Sequence, residues 1–119
     1  MSLDIEAARK YHHEREVQRR TQRERARQYW LERTRDAIRR LAPRYPQVQR
    51  VYLFGSLTQP GRFQRHSDLD VAVVCETLAA ESAFWRALEQ DLRRDVDVRP
   101  LTGAVADAVA QGGALVYER

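Results

Sequence analysis

This 119-residue sequence has one cysteine, one lysine, five glycines and no long apolar run. A single cysteine, Cys75, excludes a disulfide framework and a cysteine-based zinc site within one chain, and fits a reducing cytoplasm. No window approaches the 18 or so consecutive apolar residues of a membrane-spanning helix, and the first residues lack the basic-then-apolar build of a secretory signal. Neither glycine nor proline occurs between Leu3 and Leu41. Nothing in that stretch therefore breaks a helix, and Ala, Glu, Gln and Arg, all good helix formers, fill it. Lys10 is the only lysine; every other basic side chain is arginine.

What is present is unevenly spread. The chain has 21 basic and 17 acidic side chains, a net of +4. Residues 1–42 hold twelve basic against seven acidic, a net of +5, and residues 43–119 hold nine against ten. The basic excess thus belongs to the N-terminal segment. Its spacing predicts one helix ended by Pro43 and Pro46, with opposite charges at Glu6/Lys10, Glu16/Arg20 and Asp36/Arg40 adding ~0.2–0.5 kcal/mol each. Ala26, Trp30, Thr34, Ala37, Ile38 and Leu41 form a stripe that can pack on a core. Between His12 and Arg25 only Val17 is apolar, so that part is expected to contact a partner or a second copy. Direct nucleic-acid binding is the weaker expectation, because acids are interleaved with the arginines. His12 and His13 are adjacent, point to different faces and make a poor metal pair.

Past Pro46 the period changes from helix to strand. Residues 48–54, 68–75, 95–99 and 114–117 read as strands, and 80–94 and 104–111 as helices. Strands alternating with helices predict an α/β or α+β domain with a small sheet. Trp30, Trp85 and Cys75 read as packing residues, and His66 as an exposed loop histidine.

Three pieces carry chemistry. Asp68 and Asp70 stand at the head of an apolar strand, where alternate side chains share a face; two such carboxylates repel unless a cation lies between them. Mg²⁺ or Mn²⁺ suits oxygen donors of this kind, although Asp-x-Asp also occurs by chance on surface strands. Asp97 sits between Val96 and Val98 in a second short strand, with Asp95 a rival of the same parity. Gly55-Ser56 follows a strand directly, where glycine permits a tight turn and close approach of backbone to phosphate.

With the spacing of these pieces, Leu53-Phe54-Gly55-Ser56, Ser67-Asp68-Leu69-Asp70-Val71 and Val96-Asp97-Val98 resemble the minimal nucleotidyltransferase (MNT) domain of the DNA polymerase β-like superfamily. The resemblance covers roughly residues 44–119 and includes the Gly112-Gly113-Ala114-Leu115-Val116-Tyr117-Glu118 ending. It implies a polymerase β-like palm in residues 43–119, with residues 1–42 as an added helix. It also implies ATP as substrate, a two-metal site on Asp68, Asp70 and Asp97, and phosphate binding by Gly55 and Ser56. The loop after Ser56 departs from the family's usual Ala-Arg-Gly, which leaves Arg62 or Arg65 as substitute phosphate ligands. Small MNT proteins of this kind are paired with HEPN-domain ribonuclease toxins and act as antitoxins that transfer AMP to the toxin. The resemblance therefore implies a protein-modifying nucleotidyltransferase with a HEPN partner. A non-catalytic antitoxin that masks its partner, and a basic RNA-associated adaptor, are the alternatives from other classes.

Overall fold

The computed structural model describes residues 2–119. With no breaker in its way, helix α1 runs unbroken over Ser2–Leu41 and stops at the turn that holds Pro43. Forty residues at 1.5 Å each give about 60 Å of helix. The molecule measures 68 × 27 × 18 Å, with a radius of gyration of 18.3 Å against about 14 Å for a compact chain of this length. From Asp4 to Gln22 nearly every residue is exposed, so the first half of α1 is an arm. Its second half is a wall of the core. Thr34, Ala37, Ile38 and Leu41 are buried, and Ala26 and Trp30 pack against the same cluster.

After the arm come β1 (Val48–Phe54), β2 (Leu69–Cys75), α2 (Leu78–Leu92), β3 (Val96–Pro100), α3 (Gly103–Gly112) and β4 (Ala114–Glu118). The sheet order is β3-β2-β1-β4. β1 runs antiparallel to β2 and β4, whereas β2 and β3 are parallel and need α2 as their crossover. Val51, Leu53, Leu69, Val71, Val73, Val96 and Val98 turn one face of the sheet into a core with Ile38 of α1 and Phe84, Leu88 and Leu92 of α2. Each large apolar side chain fully buried there contributes roughly 1.5–3 kcal/mol. By alternation the other face carries Asp70 and Asp97.

Boundaries differ from the sequence expectation by one or two residues, with local causes. Helix α2 begins at Leu78 because Thr77 caps it, its Oγ1 accepting from the Ala80 N–H at 3.1 Å. It ends at Leu92 because Arg93 turns left-handed (φ 52°). Strand β2 starts at Leu69, so Asp68 lies just before the strand rather than in it. Replacing Thr77 by Ala is expected to cost about 1 kcal/mol. A urea midpoint unchanged from wild type would show that the cap carries no weight.

Arg27 is the larger surprise. A charged side chain on a helix is ordinarily solvated, yet Arg27 is only 8% exposed. Glu24 neutralises it through bonds of 3.0 Å to its Nε, and its Nη1 donates to the Leu57 carbonyl at 3.1 Å. That bond ties α1 to the short 3₁₀ turn at Gly55–Thr58.

Candidate active site

The site is built where the C-terminal end of β1 meets the starts of β2 and β3. Phe54 is the register partner of Asp70, and Asp70 that of Asp97. Residues that are 27 apart in sequence thus share one edge and, by parity, one face. Gly55 then turns the chain with φ 73°, in the left-handed region. A Cβ at Gly55 would collide with Asp70 Oδ2 and stand 3.2 Å from its Cγ. Glycine is therefore demanded twice, by backbone conformation and by the Asp70 carboxylate packed on it.

The negative charge of the site is only partly compensated. Burial raises the Asp70 carboxyl to a pKa of about 6, and the charges of Asp97 and then Asp68 push the same way. Arg99 offsets them in part, and its Nε also donates to Asp97 Oδ2 at 2.9 Å. A half-buried carboxylate beside two others is a costly arrangement that a divalent cation would relieve, and oxygen donors of this type fit Mg²⁺ or Mn²⁺. Among the described residues, no three carboxylate, histidine or cysteine side chains are drawn together tightly enough to hold an ion as they stand. Asp97 is turned to Arg99 and Asp68 is exposed ahead of its strand.

The remaining residues marked by the sequence lie around this register. Arg65, His66, Ser67, Asp68, Arg94 and Asp95 line a polar hollow at the edge of the site. This brings Arg65 and the exposed His66 beside Asp68, with Asp95 there rather than opposite Asp70. Ser56 is half-buried in the 3₁₀ turn, and Arg62 is exposed in the turn that follows, its N–H bonded to the Gln59 carbonyl. Trp85 packs at the core edge and donates from Nε1 to the Val96 carbonyl, and Cys75 is half-buried at the end of β2. Arg94 was not singled out. Its Nη2 donates to the Ser67 and Arg65 carbonyls, fixing the loop that presents Asp68. No sequence pattern marks that role.

The sequence profile of the polymerase β nucleotidyltransferases matches residues 36–119. The chain belongs to that family. No curated protein sequence matches it. Among solved structures, the nucleotidyltransferase is similar to a chain of a toxin–antitoxin complex with AMP-PNP, at 29% identity and a TM-score of 0.59, over 71% of this chain and 73% of that one. It is also similar, at 27% identity and a TM-score of 0.59 over the same shares, to a chain of a mutant MntA-HpeT toxin–antitoxin complex with two Asp-to-Glu replacements two positions apart. A chain of the complex between a tri-AMPylated Shewanella oneidensis HEPN toxin and an MNT antitoxin shares the fold. Identity there is 24% and the TM-score 0.54, over 75% of this chain and 73% of that one. Among the described residues no helix is long and apolar enough to cross a membrane.

Proposed function

We propose that this chain is a metal-dependent nucleotidyltransferase antitoxin that moves AMP from ATP to a hydroxyl of a HEPN-domain partner protein. The observation that carries the reading is the register of Asp70 with Asp97, with Gly55 packed on the Asp70 carboxylate. The likeness to a toxin–antitoxin complex with AMP-PNP, an ATP analogue, supports both the nucleotide and the partner. Residues 43–119 carry the catalytic residues in this reading; of the 1–42 helix, the exposed first half is the partner-contacting arm and the second half a wall of the core.

In the reaction, Gly55 and Ser56 hold the β- and γ-phosphates through backbone N–H groups and the Ser56 hydroxyl, with Arg65 and Arg62 as basic ligands. Asp68, Asp70 and Asp97 would hold two divalent cations, which supply charge neutralisation at the phosphates and a lowered pKa for the acceptor hydroxyl. Asp97 accepts the acceptor's proton. The acceptor oxygen then bonds to the α-phosphorus, the bond from that phosphorus to the bridging oxygen breaks, and pyrophosphate leaves with the electron pair. The protein's contribution is positioning and fixed charge.

Intact-mass spectrometry of the HEPN partner, incubated with this chain and Mg-ATP, tests the reading. Whole AMP increments with wild type and none with Asp68→Asn are expected. An equally active Asp68→Asn protein would remove the metal-site assignment. Masking of the partner by the arm is the second reading, favoured by the exposure of residues 4–22. An unmodified partner that is silenced in a stable complex would establish it.

A further inference from the structure

The charges of α1 are unevenly placed around its axis. At 3.6 residues per turn, Tyr11, Arg15, Gln18, Arg19, Gln22, Arg23, Ala26 and Trp30 share one broad face. Between Tyr11 and Trp30 that face carries no carboxylate of its own. Glu14 and Glu24 lie off it, and Glu16 stands at its border, shared among Arg19, Arg20 and Arg23 at 3.3–3.9 Å. One carboxylate, Glu16, thus offsets part of the charge of Arg19 and Arg23, while the other interleaved acids lie away from this face.

The face is also a continuous track. A hollow around Tyr11 and Arg15 shares Arg19 and Gln22 with a cavity of about 310 Å³ between α1 and the segment around Phe63–Arg65. The far wall of that cavity, Arg65 and Arg94, is at the same time a wall of the hollow that contains Asp68. Arg94 is held in place there, its guanidinium 4.7 Å from the Trp30 ring centre and 5.3 Å from that of Phe63. At the outer end Tyr11 is about half exposed, with Arg15 bonded to its hydroxyl at 2.9 Å.

We infer that this track binds a single-stranded polynucleotide. Guanidinium forks placed one turn apart suit successive phosphodiesters, an exposed aromatic ring gives a stacking platform, and Gln18, Gln22 and Gln64 offer amides to base edges. An acidic protein segment would use the arginines but would leave the ring and the amides without a purpose. The track ends beside Asp68, so a bound strand reaches the rim of the carboxylate cluster. The inference does not rest on nucleotidyl transfer, because the binding is read without divalent cation.

Fluorescence anisotropy of a labelled 12-nucleotide oligo-U RNA, titrated in EDTA at several salt concentrations, tests it on the full chain. Arg15→Gln/Arg19→Gln/Arg23→Gln is expected to weaken binding about ten-fold or more and to lower the log–log salt slope by about 2. Arg20→Gln/Arg35→Gln/Arg39→Gln removes the same charge from other faces and is expected to change affinity less than about three-fold. Tyr11→Ala is expected to cost about five-fold. Asp68→Asn/Asp70→Asn binds at least as well as wild type. Equal losses in the two triple variants would overturn the inference, as would displacement of the RNA by polyglutamate at equal charge or absence of binding at low salt. A DNA strand of the same sequence that binds equally well would assign recognition to backbone and base stacking; preference for RNA would add the 2′-hydroxyl to the recognised groups.

Discussion

Replacing Asp70 by Asn is expected to abolish nucleotidyl transfer, by on the order of 10³-fold or more, while making the metal-free protein more stable at neutral pH. The two effects have one cause. Burial and the charges of Asp97 and Asp68 raise the Asp70 carboxyl to about 6, against an ordinary carboxyl near 3.8. The native state therefore holds this proton more tightly than the unfolded chain does. Its stabilising contribution is fully present below about pH 4, falls as pH rises from 4 to 6, and is gone above that. A shift of about two units corresponds to some 3 kcal/mol, which solvent screening of a half-exposed group reduces to about 1–2 kcal/mol. Asn keeps the shape and never ionises. Urea unfolding in EDTA should show the variant ahead of wild type by that amount at pH 7 and level with it near pH 4. Mg²⁺ should raise the wild-type midpoint and leave the variant's unmoved. A variant that is less stable than wild type at pH 7 would mean that the Asp70 carboxylate is satisfied by contacts rather than strained by neighbours.

How much of this was legible beforehand depends on whether the cause is local. Helix α1 was readable because its determinants are local, with no glycine or proline from Leu3 to Leu41 and Pro43 just past its end. Apolar periodicity likewise marked the Ala37, Ile38 and Leu41 face, and Val71 and Val73 in β2. Asp68, Asp70 and Asp97 stood out because carboxylates on apolar strands are expensive. What pattern could not supply was pairing. That Asp70 stands in register with Asp97, while Asp95 is left at the rim beside Asp68, follows from the parallel β2–β3 ladder, which is a tertiary fact. Arg27 and Arg94 were invisible for a related reason. Each is a charge that becomes structural only because backbone carbonyls from distant segments, Leu57 for one and Ser67 for the other, come to meet it. The face segregation of the arm is a different case. It was present in the sequence, and a summed charge count averaged it away.

Gly55→Ala is expected to damage stability and transfer together, in a way that separates two causes. The first is backbone conformation, since φ 73° costs an alanine roughly 1–2 kcal/mol. The second is the added methyl group, which would occupy space held by the Asp70 carboxylate. Relief requires either the carboxylate or the 3₁₀ turn to move, for a total loss of about 2–4 kcal/mol. An ångström of displacement at a reacting centre is worth about 10²-fold in rate, so transfer should fall at least that far even in molecules that remain folded. A double-mutant cycle isolates the contact. In an Asp70→Ala background the collision partner is absent, and Gly55→Ala should then cost only the conformational 1–2 kcal/mol. If Gly55→Ala cost the same in both backgrounds, the carboxylate would not be what demands glycine here, and the close packing of Gly55 on Asp70 could no longer support the assignment of this end of the sheet as the active site.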